Sequence, residues 1–398
     1  MSQEDVVFER PIDRRQFLTR SAGLLGLGTL GTLGAIEFLS ACGSSSSVAG
    51  VSPSPHPPIG SESGTMSILE WSGYEAAGTP PQTLGMTAGG TYTTQFGASG
   101  ISYSTIVNDD QALQKATSSG PFDLMHPCHE NIQDYVTRGL VQPWDPTLLP
   151  SFKDLNPNLV KAGQVNGKQY MIPWDWGYGS LLYRTDKIDA ADAAGWELAW
   201  NPKYSGKISL WNGASTNFEI AALKLGLKNM DVFSDSQLAQ AKAALLQQKP
   251  LNKVYWGSEY TEEQPNFQSG TVWITYAWQD SLVAMKAAGL PCAFLNPSQG
   301  RLSWFCGFML GAKTQNYYHA HAYVESFINH DACVNMTNLF YYGTSNTTVT
   351  PDLVTDKNLA TELDLANPLA ITSGTNHLQS WTPNRPQLEL AWQEIVAT

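Results

Sequence analysis

Signatures of catalysis are missing from this 398-residue chain. It has no Gly-x-Ser-x-Gly elbow, no His-Glu-x-x-His, no phosphate loop and no Rossmann fingerprint in a strand-to-helix setting. The hydrolases, zinc peptidases and nucleotide enzymes that depend on them are therefore disfavoured. Cysteine is scarce. Besides Cys42 there are only Cys128, Cys292, Cys306 and Cys333, with no Cys-x-x-Cys or Cys/His spacing of structural zinc, which leaves room for zero to two disulfides. Basic residues are in deficit, 23 Lys and Arg against 35 Asp and Glu, for a net charge of −12. With no Lys/Arg cluster beyond the N-terminal leader, nucleic acid is a poor partner, whereas a cationic ligand meets no repulsion. A long apolar run is also lacking: residues 21–41 are long enough to span a membrane, but five glycines and Glu37 interrupt them.

What is present begins with an address. Asp13-Arg14-Arg15-Gln16-Phe17-Leu18-Thr19, a Gly/Ala/Leu-rich run and then Leu39-Ser40-Ala41-Cys42 resemble a twin-arginine signal ending in a lipobox. The resemblance implies a signal peptide over 1–41, a mature chain starting at a lipidated Cys42 and an extracytoplasmic body, since several acyl chains on one Cys give lasting attachment. Residues 43–64 hold almost no apolar side chains, so 42–65 read as a flexible Ser/Pro/Gly tether with ordered structure from about Met66.

About 357 residues follow the leader, enough for two lobes or domains. Thirteen Trp and sixteen Tyr are ample material both for cores and for stacking walls in a binding site. Strands are expected at 67–71, 122–125, 208–211 and 272–276. Helices are expected at 109–117, 218–225 (capped by Ser215 and Thr216), 235–248 and 320–328. The alternation is that of an α/β protein.

In this order the chain resembles the extracellular solute-binding proteins of ABC importers, and within them the spermidine/putrescine-binding proteins. The landmarks are Glu70-Trp71-Ser72-Gly73-Tyr74, Phe122-Asp123-Leu124 with Pro127, Arg138-Gly139-Leu140-Val141-Gln142-Pro143, Ile172-Pro173-Trp174-Asp175-Trp176-Gly177, Tyr204-Ser205-Gly206-Lys207-Ile208, Ala277-Trp278, and Gly300-Arg301-Leu302-Ser303-Trp304. The resemblance implies a two-lobed type II periplasmic-binding-protein fold. Lobe 1 would be 66–176 plus 305–346 and lobe 2 177–304 plus 347–398, with crossings at Trp176-Gly177 and Trp304-Phe305. A ligand would be held between the lobes by hinge closure and presented to a permease. It implies no cofactor and a monomer.

The same resemblance places ligand-stacking aromatics at Trp71, Tyr74, Trp278 and Trp304, with Trp176 at the crossing and Ser72 beside them. The family's carboxylates are absent: their positions are Gly73, Gly213, Thr216 and Cys306 here. Because an amine in a cleft calls for carboxylates at its charged ends and aromatic faces along its chain, replacements are expected among Glu130, Asp175, Glu70, Glu219 and Asp280, with Asn212 as a neutral acceptor. Glu70 and Asp280 read as solvated or structural, and Asp175 as a ligand carboxylate or a hinge bond to backbone. Cys128 and Cys306 both fall on the cleft face by resemblance, as a disulfide or as two thiols. The expected cargo is a polyamine-like or other organic cation. A sugar, an amino acid, an opine or ferric ion (through Tyr341-Tyr342) is the alternative, and a secreted enzyme is disfavoured. His126-Pro127-Cys128-His129-Glu130 has metal-ligand residue types, but His126 and His129 would diverge on a strand, and no metal is expected.

Overall fold

The computed structural model describes residues 61–72, 74, 92, 100–372 and 374–397. The expected leader, Cys42, the tether through residue 60 and Gly73 lie outside these residues.

In chain order the strands are β1 (Met66–Trp71), β2 (Ile101–Ile106), β3 (Leu124–Met125), β4 (Val141–Gln142), β5 (Gln164–Val165), β6 (Lys168–Gln169), β7 (Met171–Arg184), β8 (Ile208–Trp211), β9 (Asn252–Trp256), β10 (Ile274–Ala277), β11 (Cys292–Phe294), β12 (Leu302–Gly311), β13 (Gly343–Thr344) and β14 (His377–Leu378). The helices used below are α1 (Asp109–Ser118), α2 (Ile132–Thr137), α3 (Ala214–Leu225), α4 (Asp235–Gln248), α5 (Gln279–Ala287), α6 (Tyr317–Ile328) and α7 (Arg385–Ala397).

One group of strands is built on β1, which runs parallel to β2 and to β3. A second group is built on β8, parallel to β9 and β10. Parallel neighbours need crossover connections. Helix α1 follows β2 with Asn108 accepting from the Gln111 N–H and Asp109 and Asp110 in its first turn, a favourable N-terminus. Strand β7 joins the two groups: Met171–Gly179 pair antiparallel with β12, and Ser180–Arg184 with β10 and β11. Its residues 171–182 are all buried, as a strand covered on both faces must be. Each group has its own apolar packing. Trp174, Phe308, Tyr323 and Phe327 lie under the first, and Trp196, Phe218, Trp256 and Trp392 under the second.

Several expected boundaries move. The strand at 122–125 shrinks to β3, because the Asp123 carboxylate accepts the Ser67 N–H at 2.8 Å and takes a donor from the ladder. The strand at 272–276 becomes β10, since the Trp273 and Ile274 N–H groups both turn to the Lys207 carbonyl. The helix expected at 218–225 starts at Ala214 with Gly213 as a cap that makes no side-chain hydrogen bond, so Ser215 and Thr216 lie in its first turn. The helix at 235–248 forms with those bounds behind a Ser234–Gln237 capping box. Residues 61–65, read as the tail of the tether, are tied down. The Glu62 carboxylate accepts from the Tyr318 and His319 N–H groups at the start of α6, and Asn316 bonds Gly64 and Thr65.

Two glycines of β7 admit aromatic rings from the neighbouring elements. A Cβ on Gly179 would lie 1.8 Å from the Tyr276 hydroxyl oxygen, and one on Gly177 2.7 Å from the Trp304 ring. Overpacking of this kind costs about 1–3 kcal/mol. Gly179→Ala is therefore expected to lower the urea midpoint, and Tyr276→Phe to recover part of that loss in the double variant. Equal midpoints for Gly179→Ala and the parent would refute the steric account.

Candidate functional site

The parallel strands of both groups point their carboxyl ends at one region, where open α/β sheets hold ligands. β1 ends at Trp71 and Ser72, β3 leads into His126–Glu130, β8 into Asn212 and Gly213, and β10 into Trp278, Gln279 and Asp280.

Glu130 follows the short link from β3 and sits in a helical turn, His129–Asn131, just before α2. Its position is fixed by Cys128, which is disulfide-bonded to Cys306 of β12 and whose N–H donates to Asp109 Oδ1 at 2.9 Å. Glu130 Oε2 is buried and has no hydrogen-bond partner. Burial, then the adjacent Asp109 charge, pushes its carboxyl up to about 8, and burial raises Asp109 to about 6. Glu219 of α3 also faces Glu130 and contributes to that rise. It is buried and accepts from Gln379 Nε2 at 2.8 Å, the same amide reaching Thr216 Oγ1 at 3.3 Å. Arg385, the first residue of α7, is the counter-charge: its guanidinium bonds Asn131 and Asp110 and lies 3.6 Å from Asp134. Glu130 thus faces two further carboxylates, Asp109 and Glu219, beside a guanidinium that is already engaged, a setting suited to a further cation.

Beside this cluster is a buried triad. His126 Nδ1 bonds Glu70 Oε1 at 2.6 Å and Nε2 bonds Asp175 Oδ1 at 3.1 Å, with the imidazole stacked on Phe308. Burial pushes the imidazole down, but the two carboxylates outweigh it and hold His126 up at about 10. The expectations for these acids are corrected here. Glu70 and Asp280 are buried, which rules out the solvated reading and leaves the structural one. Asp175 bonds an imidazole in place of backbone. Asp280 accepts from Tyr342 Oη at 2.7 Å and Tyr260 Oη at 3.3 Å.

The aromatic residues divide. Trp304 is part-exposed and meets Tyr342 edge-on at 5.0 Å. Trp278 is part-exposed over Trp211 and Trp256, and Tyr74 is part-exposed against Phe340, Trp174 and His126. Trp71 is part-exposed, and its indole N–H, like that of Trp304, is buried without a partner. Trp176 is packed inside with its N–H on the Thr344 carbonyl at 2.7 Å. Ser72 is exposed. Asn212 is turned to α7, accepting from the Trp392 indole at 3.0 Å, and the cap residue Gly213 abuts the Trp211 ring. Cys292 and Cys333 are buried free thiols. His126 and His129 diverge, the latter stacking on Phe305, and among the described residues no cluster of His, Cys, Asp and Glu has a metal-ligand arrangement. The sequence reading missed Asp109, Gln379 and Arg385. Asp109 reads as an ordinary helix-start acid, while Gln379 and Arg385 are brought in from some 250 residues away with no local signal.

Comparison with known proteins gives the family. Residues 88–361 match the model for bacterial extracellular solute-binding proteins. The spermidine/putrescine-binding periplasmic protein of Escherichia coli is 23% identical over 265 residues, 65% of this chain and 75% of that protein. The putrescine-binding periplasmic protein PotF of the same organism is 25% identical over 251 residues, 59% of this chain and 68% of that one. Among solved structures, the spermidine/putrescine substrate-binding protein PotD of Streptococcus pneumoniae superposes with a TM-score of 0.67 at 17% identity, covering 83% of this chain and 98% of the other. MotA of A. tumefaciens, solved with glucopine, gives 0.65 at 14% identity, covering 83% and 99%. The fold is the two-lobed α/β fold of periplasmic binding proteins, and the chain belongs to the bacterial extracellular solute-binding protein family.

Proposed function

We propose that this extracellular solute-binding protein captures a small organic amine, polyamine-like in its cationic end, between two lobes and delivers it to the permease of an ABC importer. The observation that carries the reading is the meeting of Glu130, Asp109 and Glu219 around a buried carboxylate oxygen without a partner. Lobe 1 is taken as 66–176 plus 305–346 and lobe 2 as 177–304 plus 347–398. In support, β7 exchanges β12 for β10 as its partner between Gly179 and Ser180, close to that crossing. Glu130 and Asp109 then belong to lobe 1, and Glu219, Gln379 and Arg385 to lobe 2, so closure assembles the acid cluster. The part-exposed faces of Trp71, Tyr74, Trp278 and Trp304 serve as walls for the methylene chain. The spermidine- and putrescine-binding relatives favour an amine, although the acids here occupy other positions in the sequence.

In this reading the mature protein starts at a lipidated Cys42, is exported by the twin-arginine route, works as a monomer outside the cytoplasm and transforms nothing. A thermal-shift panel of diamines, amino alcohols, amino acids, sugars and ferric salts tests the cargo, because a ligand of the folded state stabilises it by RT ln(1 + [L]/Kd). A shift of several degrees with amines is expected, about 2.7 kcal/mol of stabilisation at a hundredfold excess over Kd. A shift with sugars or ferric ion alone would sink the amine reading.

A further inference from the structure

Resting on that amine-capture reading, we propose that the cargo also carries a neutral oxygen acceptor, a hydroxyl or an amide carbonyl, which the Trp304 indole N–H and the Gln279 side-chain amide receive. Gln279 is fully buried, and its Oε1 accepts from the Tyr178 N–H at 3.0 Å. That bond fixes which end of the amide is spare. Nε2 is buried without a partner, as is Trp304 Nε1. The two side chains converge over Gly177: a Cβ there would lie 2.9 Å from Gln279 Oε1 and 3.0 Å from Trp304 Cε2, the carbon that bears Nε1. The bare backbone of Gly177 thus makes room for both side chains.

The donors stand close to the acid cluster. Trp304 and Cys306 pair with Gly177 and Asp175 across β12 and β7, and residues two apart on a strand share a face about 7 Å apart. Cys306 is the anchor of the disulfide that holds the Glu130 turn. Buried donors are nearly always satisfied, by protein, ligand or ordered water, and a plain methylene chain laid along this face would leave both unpaired. The charged groups nearby argue against a carboxylate as the acceptor. Asp280 is the next residue along α5, Asp175 lies two residues from Gly177 on β7, and Glu130 follows the Cys128 end of the disulfide to Cys306. The nearby cations are already engaged: His126 is shared between Glu70 and Asp175, and the Arg385 guanidinium bonds Asn131 and Asp110. A neutral oxygen gains the two donors without that repulsion. The cargo class is therefore an amino alcohol or amino amide in preference to a diamine or an amino acid.

Calorimetric titration of the purified protein with aminobutanol, putrescine and γ-aminobutyrate tests this, since the three share an amine and a similar spacer and differ at the far end. Aminobutanol is expected to bind at least about tenfold tighter than either of the others. Trp304→Phe keeps the ring and deletes the N–H, and is expected to shrink that ratio toward unity. Gln279→Met should do the same, with circular dichroism checking that each variant is folded. Putrescine binding as tightly as aminobutanol would mean that water satisfies these donors and would overturn the proposal, leaving amine capture standing. Tightest binding of γ-aminobutyrate would overturn the neutral acceptor. If none of the three binds and Glu130→Gln changes nothing for any amine, amine capture itself fails, and this inference with it.

Discussion

Glu130→Gln is expected to weaken amine binding by about two to three orders of magnitude while leaving the protein folded. Its Oε2 is buried and has no hydrogen-bond partner, so a captured ammonium supplies one, and removing one member of a buried charge pair costs about 3–5 kcal/mol. The pH dependence has a definite sign. The Glu130 carboxyl is held up at about 8, above its ordinary 4.5, first by burial and then by Asp109. Below that pH the group is protonated and an incoming cation must displace the proton. Amine affinity should therefore rise with pH until about 8 and then level off. Stability without ligand moves the other way. A carboxyl raised on folding contributes stability that is complete below 4.5 and lost as pH rises through 8. The Gln variant should thus be relatively more stable than the parent at pH 8 and should show a flatter affinity profile. Unchanged affinity in Glu130→Gln, measured at pH 8, would remove Glu130 from the site.

His126→Gln should cost the fold rather than the ligand. Among the described residues the imidazolium is the one bridge between Glu70 and Asp175, and all three are buried. Deleting it leaves two buried carboxylates without their counter-charge, a loss of about 3–5 kcal/mol. For His126, raised from 6.5 to about 10, the stabilising contribution is complete below pH 6.5 and lost as pH rises through 10, so the parent should soften in alkali. Neutralising the whole triad as Glu70→Gln, His126→Gln and Asp175→Asn together should restore much of the loss, because a buried ionic group exchanged as a unit for neutral residues is often near-neutral overall. The check is the denaturant midpoint of the single and triple variants. A single variant that unfolds at the parental midpoint would show that water or local rearrangement already compensates the two acids.

The fold was far more legible than the site. Helix 235–248 could be placed because a capping box and an amphipathic repeat both mark it locally, and β1 and β8 because short apolar runs end at polar turns. Strand β7 hid its length, since Trp174-Asp175-Trp176-Gly177 puts a carboxylate and a glycine where an apolar run is sought. The Asp175 charge is absorbed by His126, and the Gly177 gap is filled by Trp304 and Gln279. Glu130 could be named from the sequence as one of five acids able to replace the family's missing carboxylates. Glu219 was another of those acids, whereas Asp109 and Arg385 carried no such mark, because each comes from a separate helix start whose charge looks ordinary locally. The His126 motif looked like metal chemistry for a physical reason: a histidine beside carboxylates serves either a metal or a buried ion network, and the choice depends on Glu70, 56 residues away.

The disulfide between Cys128 and Cys306 spans 178 residues of sequence, and every strand of the second group, β8 to β11, lies inside that span. Those strands form part of a closed covalent loop whose clasp sits on the first group. An isolated second half cut at the two crossings would therefore lack the ring, and a reduced chain would keep its topology but regain the freedom the ring removes, about 5 kcal/mol of denatured-state entropy for a loop this long. Nicking the backbone of the oxidised protein once between β8 and β11 should leave its two pieces joined, and they should part only when a reductant is added and the fold is melted.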